Sequence, residues 1–339
     1  MDTLSACSKV IYYRRGIRYI IAMQSVVFGP VPSRRLGFSL GVDLIPRKYC
    51  SFDCIYCQLG SSGKVDVERR SFLDPASVVE QVLRAARDAS KVDHITLSGS
   101  GEPTLNRDIG WIIAKLKQEV PLPVAVITNG SLLHLPEVRK DLLRADVVLP
   151  SLDAADAATF NRINRPHKSL SLSELLEGLK AFRREYRGKV WLEVMLIRNI
   201  NNSRQHIEML RQIIDGIAFD RVQLNTVARP PAEKTAKAVR SAELLSTAQF
   251  LGNRCEVIAG GPEKKATAKV SRHWEESLLA ILKRRSLSVE DIVALTGAPA
   301  YRAREELEKL MKERKVEAVT LGGRRFYVAG EEEGSEGAK

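Results

Sequence analysis

The sequence predicts an α/β chain in two parts: a partial, six-unit (β/α)6 barrel and a second, smaller winged helix-turn-helix domain. Three observations predict it. Six short apolar strands alternate with amphipathic helical stretches between residues 38 and 226, a rhythm that yields right-handed parallel βαβ units and a sheet buried on both faces. The Gly260-Gly261-Pro262 break, followed by Lys264, Lys265 and Lys269, marks a hinge. Beyond it, three amphipathic helices precede two short strands joined by Gly322-Gly323, a two-residue hairpin signal.

The first strand runs from Phe38 to Ile45 and stops at Pro46. Asp74 can cap a helix with Pro75 at its first position and Val78, Val79, Val82, Leu83 and Ala86 on one face. The second strand, Asp93 to Ser98, enters Gly99-Ser100-Gly101-Glu102-Pro103, and Asn106 starts a helix carrying Ile109, Ile112, Ile113 and Leu116. Val124 to Thr128 and Asp146 to Ser151 form the next two strands. Ser171, with Glu174 three residues on, reads as a capping box. Val190 to Ile197 is the fifth strand, Ser203 caps the helix through Ile214, and Arg221 to Thr226 is the sixth strand. A helix from Ser241 and a strand near Val257 supply only part of what an eight-unit barrel needs, so the barrel is expected to stay open.

In the small domain, Trp274, Leu278, Ile281 and Leu282 define one helix. Ser288 caps a second, stopped by Gly297, and a third from Pro299 buries Leu307, Leu310 and Met311. The strands are Val316 to Leu321 and Arg324 to Val328. The chain therefore divides into an N-terminal extension (1–25), the barrel (26–262), a linker (263–270), the winged helix-turn-helix (271–330) and an acidic, Gly-rich tail (331–339) expected to be disordered. Met23 offers an alternative start. Residues 1–22 are accordingly expected to carry no structure and need not belong to the native protein.

With 44% hydrophobic residues in 339, a substantial core is expected. No apolar run reaches the roughly 18 residues of a membrane span, and Arg14, Arg15 and Arg18 interrupt the N-terminal apolar stretch where a signal peptide would be continuous. A cytoplasmic, non-membrane protein is expected. The formal charge of +12 favours acidic partners such as nucleic acid, against the plainer reading of a generic basic protein.

Chemistry concentrates in Lys48-Tyr49-Cys50-Ser51-Phe52-Asp53-Cys54-Ile55-Tyr56-Cys57, which holds three of the five cysteines in a CxxxCxxC spacing. So close a set, odd in number, suits metal-thiolate binding better than disulfides. Cys7 and Cys255 lie far off, and none of His94, His134, His167, His206 and His273 sits at ligand spacing. Three thiolates on a four-iron cluster leave one iron open to a ligand. A zinc knuckle completed by a distant histidine is the alternative. No P-loop or GxGxxG phosphate motif follows a strand.

CxxxCxxC with an aromatic residue, Tyr56, before its last cysteine resembles the cluster loop of the radical S-adenosylmethionine (SAM) superfamily. The resemblance implies a 4Fe-4S cluster on Cys50, Cys54 and Cys57, SAM chelated at the open iron, and an external electron donor. One electron then cleaves SAM to methionine and a 5′-deoxyadenosyl radical. It also implies that the segment after strand two, usually Gly-Gly-Glu-Pro, binds the SAM amino group through Ser100, Gly101 and Glu102, with Ser100 standing where the family has its first glycine. By the same likeness Tyr56 lies by the adenine, Asn129 ends strand three, and Ser151 and Asp153 lie near the ribose and methionine carboxylate.

Within the superfamily, Gly29-Pro30-Val31-Pro32-Ser33-Arg34-Arg35-Leu36-Gly37, Gln58-Leu59-Gly60, Ser151-Leu152-Asp153-Ala154, Ile163-Asn164-Arg165-Pro166 and Gln223-Leu224-Asn225-Thr226 resemble the group related to wyosine synthases, which modify a guanine in tRNA. Archaeal members bring a second cluster from upstream cysteines. Only Cys7 lies upstream here, so their pyruvate-using ring closure is not implied. RNA (tRNA) is thus the expected substrate. A peptide or protein substrate is the alternative, because winged helices in other radical SAM enzymes bind leader peptides at a strand edge. A redox-sensing, DNA-binding regulator is a third reading. No catalytic residue beyond the cluster ligands is singled out.

Overall fold

The computed structural model describes residues 9–14, 17–22, 25–61, 64–89, 91–259 and 274–330. Two antiparallel strands, β1 (Lys9–Arg14) and β2 (Ile17–Ala22), pair from Lys9↔Ala22 to Arg14↔Ile17. Residues 1–22 were expected to carry no structure, and this hairpin corrects that for the described part. Ile and Tyr residues are common in both strands, and such side chains favour extended pairing. The expected linker at 263–270 and tail at 331–339 lie outside the described residues.

The eight-stranded sheet comprises β3 (Val27–Ser33), β4 (Gly37–Val42), β5 (His94–Leu97), β6 (Val124–Thr128), β7 (Val147–Pro150), β8 (Lys189–Leu196), β9 (Arg221–Thr226) and β10 (Cys255–Val257). Their spatial order is β10-β9-β8-β7-β6-β5-β4-β3. All neighbours from β4 to β10 run parallel, and only β3 pairs antiparallel with β4. Strands β3 and β10 are the two edges, so the barrel is partial and open. Strand β3 carries no clear strand signal in the sequence. Its Pro30 and Pro32 cannot donate to a ladder, which confines such a segment to an edge.

Local chemistry explains the helices that cover the outer face. In α1 (Pro75–Asp88) the Asp74 side chain accepts from the Ser77 N–H, and in α5 (Leu172–Glu185) Ser171 and Glu174 close the capping box in both directions, once the chain has passed α2 (Ile109–Glu119), α3 (Pro136–Leu142) and α4 (Ala157–Asn164). Ser203 caps α6 (Arg204–Asp215), and α7 (Ser241–Leu251) precedes β10. Asn106 does not start a helix as expected. A 3-10 turn over Pro103–Leu105 intervenes, and the fully buried Asn106 instead donates to the Leu44 carbonyl at 3.1 Å and accepts from the Asp108 N–H.

Strand residues alternate between two apolar layers, as a period of two requires. Leu40, Val42, Ile95, Leu97, Val124 and Val126 pack with Ile112, Leu116, Leu175 and Phe182 of the helices. Ala125, Val147, Leu149 and Trp191 face the other way, with Leu36.

The C-terminal elements are α8 (Trp274–Leu282), α9 (Val289–Thr296), α10 (Ala300–Lys312) and the antiparallel pair β11 (Val316–Leu321) and β12 (Arg324–Ala329). Gly297, at φ +69°, ends α9 in the left-handed conformation that glycine adopts at least cost. Trp274, Leu278, Ile281, Leu287, Ile292, Leu307 and Tyr327 form one core, and Val31 of β3 belongs to it. The C-terminal elements are therefore seated on the antiparallel edge of the sheet. Among the described residues no helix is long and apolar enough to cross a membrane.

Candidate active site

The cysteine loop follows β4 and is pinned by backbone carbonyls at the C-terminal end of α4. Asp53 N–H donates to the Asn164 carbonyl and Ile55 N–H to the Ile163 carbonyl, both at 3.0 Å. Phe52 meets Phe160 edge-on at 5.4 Å, and Cys57 N–H closes a turn on the Cys54 carbonyl. An irregular loop satisfied in this way holds a defined shape without secondary structure.

Each of the three thiols receives one side-chain donor. Asn129 Nδ2 lies 3.7 Å from Cys50 Sγ, Asn164 Nδ2 lies 3.6 Å from Cys54 Sγ, and Lys48 Nζ lies 3.4 Å from Cys57 Sγ. Burial, reinforced by the Glu102 carboxylate, pushes the Cys50 thiol up to about 12, and burial likewise raises Cys54. Thiolates at these positions need positive charge beside them, which a metal supplies. Among the described residues no three His, Cys, Asp or Glu side chains converge on a single ion. In a four-iron cluster the cysteines are instead distributed over separate irons.

The segment after β5 is laced to this loop. Lys48 N–H donates to the Ser100 carbonyl at 2.7 Å, and Glu102 N–H to the Tyr49 carbonyl at 3.1 Å. A Cβ on Gly101 would lie 1.9 Å from the Tyr49 oxygen. One on Gly99, at φ +149°, would lie 2.4 Å from the Asp43 carboxyl carbon. Both glycines are required by close approach. Ser100 donates its N–H to Asp43 Oδ1 at 3.1 Å and its hydroxyl to Asp43 Oδ2 at 2.6 Å.

Glu102 is 2% exposed. Its Oε1 accepts from Thr104 N–H, Thr104 Oγ1 and Thr128 Oγ1, and its Oε2 accepts from Asn129 N–H at 2.7 Å. Burial raises its pKa despite those bonds. The carboxylate thus clamps the loop to the end of β6, a duty the sequence did not reveal.

Asp153, after β7, forms the opposite wall. Its Oδ2 accepts from Tyr56 OH at 2.5 Å and Asn164 Nδ2 at 2.8 Å, and its Oδ1 accepts from Met195 N–H. Burial pushes its carboxyl up to about 6 and also raises the Tyr56 phenol. Ser151 is half-buried and pairs in a parallel bridge with Glu193. Glu193 accepts from Arg35 at 2.8 Å and from Asn225 at 3.0 Å. Burial opposes its charge, but Arg35 and Asn225 outweigh burial and lower its pKa.

The structure thus links Cys50, Asn129 and Glu102 by direct contact, and Cys54, Asn164, Asp153 and Tyr56 by a second chain of contacts. Sequence reasoning missed Lys48, Asp43, Asn164 and Glu193. Asn164 carried a signal as part of Ile163-Asn164-Arg165-Pro166, and Lys48 as the first residue of the cysteine stretch, but neither showed its contact with a sulfur. Asn164 Oδ1 is buried with no hydrogen-bond partner, an acceptor left over beside Cys54. With the donors on all three sulfurs, it fits this pocket to a cluster and a polar ligand.

An open parallel barrel with a three-cysteine loop at the strand ends defines a radical SAM enzyme, and residues 44–211 match the Radical SAM superfamily. The chain belongs to that superfamily, whose enzymes use a 4Fe-4S cluster and SAM. It is 33% identical over 313 residues to UPF0026 protein MJ1312 of Methanocaldococcus jannaschii, covering 90% of this chain and 96% of that one. A protein named GTPase Obg from Brachyspira hyodysenteriae is 38% identical over 299 residues, covering 88% of this chain but 44% of that protein. The chain spans less than half of that relative. The dual-specificity RNA methyltransferase RlmN of Syntrophotalea carbinolica is 28% identical over 177 residues, covering 50% of this chain and 45% of that one. A solved structure of TYW1 with a lysine-pyruvate adduct bound shares the fold at a TM-score of 0.50 and 20% identity, over 66% of this chain and 75% of that one.

Proposed function

We propose that this enzyme holds its 4Fe-4S cluster on Cys50, Cys54 and Cys57, reductively cleaves SAM there with an electron from an external donor, and uses the resulting radical to modify RNA, specifically tRNA. The observation that carries the reading is the set of donors aimed at the three sulfurs by Lys48, Asn129 and Asn164. Hydrogen bonds to cluster sulfurs stabilise the anionic ligand set and tune its potential.

Bound there, the cluster and SAM would supply the 5′-deoxyadenosyl radical. The chain's own residues bind and orient. The Ser100-Gly101-Glu102 backbone, shaped by Asp43 and the Glu102 clamp, takes the methionine end of SAM. Asn129, Ser151, Asp153 and Tyr56 form the walls for the rest. Buried apolar residues such as Ile55, Ile163 and Ile197 exclude water beside them.

An RNA substrate draws support from the charge of +12, from the likeness to the RNA methyltransferase, and from the resemblance to the wyosine group. We read residues 271–330 as the winged helix-turn-helix that presents it, after a barrel at 26–262. Arg304, Lys312 and Arg325 lie, with Glu290 and Glu308, along a groove between α10 and the wing, and these cations support a reading of phosphate contacts there. Incubation of anaerobically reconstituted enzyme with SAM, reductant and total tRNA should give 5′-deoxyadenosine in excess of the RNA-free reaction. Stimulation by peptide but not by RNA would move the assignment to a peptide or protein substrate.

A further inference from the structure

The loop read here as the cofactor loop departs from its family pattern at Ser100, and the structure shows what that serine touches. Its N–H and hydroxyl both rest on the Asp43 carboxylate, which is 6% exposed. The same carboxylate meets Arg284 Nε at 2.9 Å from Oδ2. Arg284 follows α8 in the C-terminal elements. Its Nη1 donates to the Ala280 carbonyl at 2.8 Å, its Nη2 to the Ser25 carbonyl at 3.1 Å, and its guanidinium lies 4.9 Å from the centre of the Phe28 ring. One side chain therefore ties the helix end, the segment leading into β3 and the motif after β5.

We propose that Arg284 is a positioning residue for SAM: by holding Asp43 it sets the Ser100 end of the cofactor loop, so seating of the C-terminal elements and SAM affinity are linked. This rests on the assignment of residues 99–102 to SAM. Asp43 accepts from Ser100 on both oxygens and from Arg284 on Oδ2, so losing Arg284 leaves a buried carboxylate charge whose remaining donors all come from the loop itself. The loop must then shift or admit water. The path continues through the Ser100 carbonyl to Lys48 N–H, and Lys48 also reaches Cys57 Sγ. A contact that biases two sites acts reciprocally on both affinities. A substrate that loads the C-terminal elements would thereby be sensed where SAM binds.

The test is equilibrium binding of SAM to anaerobically reconstituted holoenzyme. Arg284→Ala should weaken SAM binding about tenfold, within the range of such couplings, and Arg284→Lys, which keeps the charge, should recover part of the loss. Arg229→Ala is the control. Arg229 joins the barrel to Ser286 and Asp291 of the C-terminal elements without touching Asp43, so with Arg284 still in place its loss should cost SAM affinity far less than Arg284→Ala does. In the wild type, adding SAM should slow amide exchange in the peptide 281–286, a readout that does not depend on any variant folding. Unchanged affinity in Arg284→Ala, an equal loss in Arg229→Ala, or exchange at 281–286 indifferent to SAM would each overturn the inference while leaving the cofactor assignment intact. A wild type that binds no SAM would overturn that assignment, and this inference with it.

Discussion

Glu102 Oε2 accepts the backbone N–H of Asn129 at 2.7 Å, and Asn129 in turn directs its side-chain amide at Cys50. The acid expected from sequence to grip SAM is therefore also a buried brace between two strand ends. Glu102→Gln would turn an amide N–H₂ toward Thr104, Thr128 or Asn129, each already donating. We expect a stability loss of about 1–3 kcal/mol in denaturant unfolding, the cost of a buried group left without a partner, together with weaker SAM binding. A variant as stable as the wild type would show that the clamp is incidental.

The three loop cysteines and the other two should separate cleanly. Alanine at Cys50, Cys54 or Cys57 removes a thiolate that nothing nearby replaces, so iron retention should collapse in each. Cys255 sits in β10, and Cys255→Ala, like Cys7→Ala, should keep full iron. Iron per chain after anaerobic gel filtration decides this.

Asn164→Leu keeps all three ligands but removes the donor 3.6 Å from Cys54 Sγ. Losing a hydrogen bond to a ligand sulfur makes the reduced, more negative cluster harder to form. The reduction potential should therefore fall with iron content unchanged, as read by an EPR-monitored redox titration.

Arg324 and Arg325 are adjacent but not equivalent. Arg324 Nη2 donates to Ser288 Oγ at 2.5 Å and lies 3.3 Å from Asp291 Oδ1, so it supports the cap of α9. Arg325 is exposed, with its guanidinium 5.4 Å from the centre of the Tyr327 ring. Arg324→Ala should lower the melting temperature of the C-terminal elements. Arg325→Ala should leave it unchanged and flatten the salt dependence of RNA binding by about one unit of log–log slope.

Acid should weaken the barrel interior through Glu193. Its folded pKa lies below the ordinary 4.5 because Arg35 and Asn225 overcome the cost of burial. The stabilisation is therefore complete above pH 4.5 and is lost as pH falls through the folded value. Glu193→Gln should be less stable than the wild type at pH 7, with the gap narrowing below pH 4.5.

The sequence revealed the framework better than the contacts inside it. Asp74, Ser171 and Ser203 cap the helices expected of them, because a cap depends on residues three positions apart. The six parallel strands were legible from apolar runs of four to eight residues. Strand β3 was not, since two prolines hide its edge role, and α4 was not, since its signals lie within a short polar stretch. The cysteine set was legible because its members are neighbours in sequence. Asn164, Asp43 and Arg284 act across separations of 110, 57 and 241 residues, and no local pattern reports such partners.

The most direct test is anaerobic reconstitution followed by reduction in the presence of SAM, with iron, sulfide and 5′-deoxyadenosine measured on the same sample. One four-iron cluster per chain is expected, with 5′-deoxyadenosine that disappears in Cys54→Ala. Zinc in place of iron, with SAM left intact, would contradict that expectation.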